Sequence, residues 1–87
     1  MRECEMRTKD GRWIKVVAIP CTEEEFERIT RHAVDYKVSR ESPPSKLSGE
    51  TVIYYDSAGK PIAMASWIFD PVTGKENKWF YSIIPAT

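Results

Sequence analysis

Two short segments that begin with Asp and end with Gly-Lys, residues 56–60 and 70–75, most constrain how this chain can fold. Asp at the start of a turn and Gly at its left-handed position are typical of tight turns between antiparallel strands. The two segments divide the C-terminal part of the chain into three predicted strands, Thr51 to Asp56, Pro61 to Phe69 and Asn77 to Ile84. The sequence therefore predicts an antiparallel meander in this part of the chain.

The Gly-Lys pairs in these turns also match part of the motif of a phosphate-binding loop. Such a loop requires the pattern G-x-x-x-x-G-K-[ST] between a strand and a helix. The second pair, Gly74-Lys75, lacks the earlier Gly and is followed by Glu76, while the first pair is followed by Pro61. Both pairs lie between predicted strands, where no helix N-terminus supplies aligned amides. The sequence therefore argues against a phosphate loop.

A further turn signal, the pair Asp10-Gly11, separates predicted strands at residues 3–8 and 12–19. Asp-Gly is a preferred pair for a two-residue hairpin turn of type I′. With that turn, Cys4 lies opposite Val17. This register predicts that the more apolar face of the hairpin carries Cys4, Met6, Trp13, Val17 and Ile19.

The segment CTEEEF has the signals of a helix start. Thr22, followed three residues later by Glu25, forms a capping box, and negative charge in the first turn complements the helix dipole. We expect a helix from about Glu23 to Tyr36. The only histidine, His32, would be a partly buried residue at the border of the apolar stripe. That stripe consists of Phe26, Ile29, Ala33 and Tyr36.

Residues 39–50 are rich in Ser and Pro and are predicted to form a loop. The predicted element order is then β-β-α-β-β-β within a single domain over residues 1–87. This is an α+β fold with an antiparallel sheet of about five strands and one helix. A small curled barrel with an inserted helix is the alternative.

Composition excludes several classes of protein. The formal net charge is zero, so no overall field attracts nucleic acid or an anionic membrane. No apolar run approaches the roughly 20 residues of a membrane-spanning helix, and the charged N-terminal segment lacks the apolar core of a secretory signal. We expect a cytoplasmic protein without membrane contact. Its two cysteines, too few for a disulfide framework, would be reduced thiols.

No motif of an enzyme or a metal site stands out. The nucleophile nearest to His32 is Cys21 at the predicted helix N-terminus. A helix N-terminus lowers the pKa of a thiol, but the carboxylates of residues 23–25 oppose this effect. Cys4, Cys21 and His32 also lack the spacing of zinc ligands. The sequence predicts no catalytic residue, no metal and no cofactor.

The C-terminal strands carry apolar residues on both predicted faces, if Asp56 lies opposite Lys60 and Asp70 opposite Lys75. One face then has Val52, Tyr54, Ile62, Met64, Ile68, Trp79, Tyr81 and Ile83. The other has Ile53, Tyr55, Ala63, Ala65, Trp67, Phe69 and Phe80. A helix of about 14 residues shields about half of one face of such a sheet. The remaining apolar surface needs another cover, and surfaces of this kind mark interaction sites.

We therefore expect a small non-enzymatic protein-interaction module: a homodimer, an adaptor or an inhibitor of a partner protein. The predicted interaction surface consists of Tyr54, Tyr55, Trp67, Phe69, Trp79 and Tyr81. One alternative is a single-stranded nucleic-acid binder that stacks bases on these rings, with Arg7, Lys9 and Arg12 as anion contacts. The other alternative is a small-ligand protein or an enzyme without a recognisable motif.

Overall fold

The computed structural model describes residues 2–41 and 48–86. These residues form one helix and six strands: β1 (Arg2–Arg7), β2 (Trp13–Pro20), α1 (Glu23–Thr30), β3 (Asp35–Glu41), β4 (Ser48–Tyr55), β5 (Pro61–Asp70) and β6 (Lys75–Pro85). The predicted α+β class, with an antiparallel sheet and a single helix, is confirmed. The sheet has one strand more than predicted, so the order is β-β-α-β-β-β-β.

All six strands belong to one antiparallel sheet in the order β1-β2-β6-β5-β4-β3. β2 lies beside β6, so the N-terminal hairpin joins the C-terminal meander through pairing of residues 16–20 with residues 81–85. β1 and β3 each have one neighbouring strand and are the edges of the sheet. The sheet therefore stays open, and the alternative prediction of a small barrel is wrong.

The sheet has a concave face with the core and a convex face with the helix. The turn after β1 reaches across the concave face, where the Lys9 N–H donates to the Gly59 carbonyl at 2.8 Å. Phe26 of α1 packs on the convex face, with its ring centroid 5.4 Å from that of Tyr54 and 5.0 Å from that of Phe80. The core beneath the concave face consists of the buried residues Met6, Val16, Ala18 and Ile83.

The predicted register of the β1–β2 hairpin is wrong by one residue. Cys4 lies opposite Val16 rather than Val17. The turn has three residues, because the Thr8 N–H donates to the Arg12 carbonyl at 2.8 Å, and Gly11 adopts the left-handed conformation with φ 91°. A slip of one residue exchanges the faces of a strand. The apolar face therefore carries Cys4, Met6, Ile14, Val16 and Ala18.

The helix is shorter than predicted, and a strand replaces its C-terminal part. α1 ends at Thr30, so His32 lies beyond it and is exposed rather than partly buried. Tyr36, predicted to be the end of the apolar stripe, belongs to β3 and is 60% exposed. The Val34 N–H donates to the Tyr55 carbonyl at 2.9 Å, which brings the chain to the edge of β4. Pairing with β4 outweighs the helical spacing of this stretch.

The predicted loop over residues 39–50 is partly strand. Residues 39–41 belong to β3 and residues 48–50 to β4. The central part of that prediction, residues 42–47, lies outside the described residues.

In the meander, both predicted turn pairings, Asp56 with Lys60 and Asp70 with Lys75, are confirmed, and the register of β4 is corrected beyond its turn. Asp70 lies opposite Lys75, and the faces predicted for β5 and β6 follow from this pairing. β4 shifts, because Tyr54 pairs with Ala63 while Tyr55 pairs with Pro61, which leaves one extra residue on β5. This irregularity, of the β-bulge kind, places Tyr54 on the convex face and Tyr55 on the concave face, the reverse of the prediction.

Candidate functional site

One end of the sheet, here called the distal end, has exposed apolar side chains among its described residues. We use this name for residues 66–79, which form the β5–β6 hairpin end, together with the neighbouring strand residues 38–41 and 48–52. The helix covers the other half of the convex face, where Phe26 lies. β2 pairs with β6 only over residues 81–85, so it does not flank β6 at the distal end.

Apolar side chains are exposed on both faces of the distal end. Phe69 is 36% exposed on the convex face. Ile68, 36% exposed, and Trp79, 42% exposed, lie on the concave side. Val72 in the turn between the strands is 77% exposed. Trp67 is half-buried on the convex face beside Phe69. This part of the sheet therefore offers two apolar surfaces back to back.

The β5–β6 turn fixes which side chain faces which way. The Val72 N–H donates to the Asp70 carboxylate at 2.9 Å, and the Gly74 N–H donates to the Asp70 carbonyl at 2.8 Å. Gly74 has a φ of 71°, a conformation that glycine adopts without a steric penalty. The turn sets Asp70 opposite Lys75, and the alternation along β6 then points Trp79 to the concave side.

Charges of both signs border the apolar surface. Lys78 Nζ lies 3.1 Å from Glu76 Oε1, and both side chains remain about half exposed. In the register, Lys78 is opposite Trp67 and Glu76 is opposite Phe69 on the convex face. The long aliphatic stem of Lys78 can therefore lie along the aromatic surface while its charge stays in water. The border is therefore polar, and the charges of Lys78 and Glu76 cancel each other.

The other aromatic residues of the predicted interaction surface serve packing within the molecule. Tyr54 lies beneath α1, in edge contact with Phe26. Tyr55 is 2% exposed on the concave face, and Tyr81 packs against the core. The six predicted residues thus occupy two faces, and those placed at the distal end are Trp67, Phe69 and Trp79.

The three predicted anion contacts are engaged by neighbouring side chains. Lys9 Nζ lies 3.1 Å from Asp35 Oδ2. Arg12 Nε lies 3.0 Å from Asp10 Oδ2, and the Thr8 hydroxyl is hydrogen-bonded to the same carboxylate. The hydrogen bond from Thr8, together with Arg12, lowers the pKa of Asp10. The guanidinium of Arg7 lies 4.9 Å from the ring centroid of Trp13.

Cys21 has the environment of an unreactive thiol. Its N–H donates to the Phe80 carbonyl at 3.0 Å, which anchors the start of α1 on β6. Burial of the thiol and the nearby Glu25 carboxylate raise the pKa of Cys21. His32, two residues beyond the end of α1, lies in an open hollow lined also by Glu25, Arg28 and Ile29.

The described part of the chain has neither a metal-binding cluster nor a helix suited to a membrane. Among residues 2–41 and 48–86, no group of three or more His, Cys, Asp or Glu side chains is placed to hold a metal ion. Over the same residues, no helix has the length and apolar character that crossing a membrane requires.

Sequence reasoning misses three residues that matter for exposed surface. Val38, 44% exposed on the convex face, and Lys37 lie on β3, which is not predicted as a strand. Val72 is 77% exposed in a turn that is predicted, but its exposure does not follow from turn chemistry. The alternation of Val34, Tyr36 and Val38 is the signal from which β3 could have been found.

Comparison with known proteins identifies no relative. No family model matches the chain. No curated protein matches it at the level taken as significant, and the same is true of the solved structures.

Proposed function

We propose that the protein is a small non-enzymatic interaction module that binds a partner protein through the distal end of the sheet. The observation that supports this is the exposure of apolar side chains on both faces of the same sheet end, Phe69 on one side and Trp79 on the other. Contiguous exposed apolar surface with a polar border is typical of protein-binding sites. The partner holds this end in a cleft and contacts both faces.

The available area favours a partner that contacts both faces. Four strands about 4.8 Å apart and about five residues of about 3.3 Å each make a face of roughly 300 Å². A contact through one face buries about 600 Å² when both proteins are counted, which is the size of a crystal contact. A contact through both faces buries about 1,200 Å², which is the lower limit of a specific and stable interface. A symmetric dimer through one face leaves the other face uncovered.

The charges define the chemistry of the partner surface. The net charge of the chain is zero, and Lys78 and Glu76 already form an ion pair at the border. Long-range electrostatic attraction therefore contributes little, and the affinity should change little with salt. Cys4 and Cys21 are free thiols, which supports a reducing compartment such as the cytoplasm for this interaction.

Site-specific photo-crosslinking in cells that produce the protein tests the proposal. p-Benzoylphenylalanine replaces Phe69 in one variant and Trp79 in a second, so that each variant reports on one face. A third variant carries the label at Arg28, which is exposed on α1 outside the distal end. We expect the labels at 69 and 79 to capture the same protein and the label at 28 to capture none of it.

Binding of the captured partner, purified, then measures the contribution of each face. Phe69→Ser and Trp79→Ser should each weaken binding about tenfold or more, as expected for aromatic residues central to an interface. Trp13→Ser is the matched control, because Trp13 is 59% exposed at the opposite end of the sheet. Crosslinks to different proteins from the two faces, to a second copy of the chain alone, or to nothing would refute the proposal.

A further inference from the structure

A second apolar surface, separate from the distal end, lies in a groove on the concave face. This concave groove has a volume of about 360 Å³ and runs between the two edge strands β1 and β3. Its apolar lining comes from four strands: Cys4 and Met6 of β1, Trp13 of β2, Ile53 and Tyr55 of β4, and Met64 of β5. Met6 is 8% exposed, so the groove reaches down to the core.

Lys9 lies beside the groove, near Tyr55 of its lining. The Lys9 N–H donates to the Gly59 carbonyl, and its ammonium is paired with Asp35 of β3 at 3.1 Å. The same ammonium lies 5.6 Å from the ring centroid of Tyr55, which is part of the groove lining. These contacts connect the β1–β2 turn to β3, β4 and the β4–β5 turn beside the groove.

The lining of the groove also includes cations from both edge strands. Arg7 belongs to β1 and Lys37 to β3, and both residues are exposed. Among the described residues neither forms an ion pair, and the Arg7 guanidinium lies over the ring of Trp13, which also lines the groove. Among the described lining residues Glu5 of β1 is the one acidic residue, so together with Arg7 and Lys37 their formal charge is positive by one.

We propose that the concave groove binds a small apolar acid, with its hydrocarbon part against Met6, Ile53 and Met64 and its carboxylate beside Arg7 and Lys37. This site goes beyond the protein-binding function of the distal end and shares none of its residues. The volume falls at the lower end of the range for small-molecule sites, about 300 to 1,000 Å³. A mostly apolar lining with a few charged groups at the opening is typical of such sites.

A peptide strand is the competing occupant, because β1 and β3 are both unpaired edges. Pairing with an edge requires a segment that runs along the strand for several residues. Among the described residues, the groove is lined by residues 4–7 of β1 and by Lys37 of β3. At about 3.3 Å per residue this is a short length for strand pairing, so the groove fits a compact ligand better than an extended one.

Titration with three eight-carbon compounds, followed by amide shifts in two-dimensional NMR, tests the proposal. Octanoate, octan-1-ol and octylammonium have matched apolar chains and differ in the charge of the head group. We expect saturable shifts at Met6, Ile53 and Met64 with octanoate. Octanoate should bind about fivefold more tightly than octylammonium, as expected for exposed charge pairs.

Substitutions separate the charged opening from the apolar lining. Lys37→Gln and Arg7→Gln should each weaken octanoate binding about two- to fivefold and leave octan-1-ol binding unchanged. Lys78→Gln, at the distal end, is the matched control. Met64→Trp should fill the groove and abolish binding of all three compounds. If Met64→Trp fails to fold, Lys37→Gln and Arg7→Gln still test the proposal, because both residues are exposed and their substitution should not disturb folding.

Several outcomes would overturn the proposal. Equal affinity for octanoate and octylammonium would show that Arg7 and Lys37 do not select the head group. Shifts confined to the distal end, or the absence of saturable shifts, would place no ligand in the groove. Binding of the peptide acetyl-Val-Thr-Val-Thr-Val-amide along β1 and β3, without octanoate binding, would identify the groove as a strand acceptor instead.

Discussion

Lys9 and Asp35 connect the turn after one edge strand to the other edge strand of the open sheet: Lys9 Nζ lies 3.1 Å from Asp35 Oδ2. Lys9 belongs to the turn after β1, and Asp35 is the first residue of β3. Hydrogen bonds from Lys9 and from the Tyr36 N–H lower the pKa of Asp35. This ion pair, with the backbone bond of Lys9, is what brings the edge strands together without pairing them.

The Lys9–Asp35 contact predicts a pH-dependent loss of stability. A carboxyl whose pKa is lower in the folded state stabilises the fold above its unfolded pKa, near 4, and this contribution is lost as the pH falls through the folded pKa. Asp35→Asn should therefore lower the urea midpoint at about pH 7 and leave it nearly unchanged at about pH 2. Glu3→Gln on β1 is the control variant, because it also removes one negative charge. A deficit of Asp35→Asn that is equal at both pH values would contradict the assignment.

The packing of α1 on the sheet predicts a large difference between two phenylalanines. Phe26 is 8% exposed and contacts two rings, whereas Phe69 is 36% exposed at the distal end. Phe26→Ala should reduce the free energy of unfolding by about 3 kcal/mol, and Phe69→Ala by less than about 1 kcal/mol. Denaturant unfolding monitored by circular dichroism measures both. Equal losses would mean that the helix does not cover the sheet as described.

The start of α1 predicts the effect of removing its cap. The Glu25 N–H donates to Thr22 Oγ1 at 3.2 Å, and the Glu25 carboxylate accepts from the Thr22 N–H at 3.5 Å. Thr22→Ala should therefore destabilise the protein by about 1 kcal/mol, while Thr22→Ser retains the hydroxyl and most of the stability. Ser57→Ala, in the exposed turn between β4 and β5, serves as control. Thermal unfolding of the four proteins gives the comparison, and a Thr22→Ser loss as large as that of Thr22→Ala would contradict the capping role.

The environment of Cys21 predicts slow alkylation. Because burial and Glu25 raise the pKa of this thiol, a smaller fraction is thiolate at neutral pH than in free cysteine. In a Cys4→Ser background, iodoacetamide should react with Cys21 several-fold more slowly than with free cysteine at about pH 7.5. Glu25→Gln, which preserves the capping geometry, should increase the rate. Reaction faster than free cysteine would indicate an activated thiol and overturn this interpretation.

Local chemistry accounts for the parts of the fold that could be predicted. The helix begins where Thr22 and Glu25 cap it, and the β5–β6 register follows from the hydrogen bonds that Asp70 makes within its own turn. These contacts join residues that are only a few positions apart, so the local sequence is sufficient to predict them. The faces of Ile68, Phe69 and Trp79, and with them the candidate site, follow from that register.

Longer-range competition decides the parts that could not be predicted. Asp10-Gly11 is compatible with turns of two or three residues, and burial of Val16 against β6 selects the longer one. Residues 34–38 fit both a helical and an alternating pattern, and the free edge of β4 makes them a strand. Neither the length of the turn nor the strand at residues 34–38 can be predicted from residues that are close in the chain.

The sequence by itself therefore determined the α+β class, the turns, the helix start and the presence of more apolar surface than one helix can cover. Only the tertiary structure decided which face of each strand is buried, where that surface remains exposed, and that Arg7 and Lys37 line one groove. The physical reason is that turns and caps are satisfied by neighbouring backbone groups, whereas burial depends on which strands become neighbours.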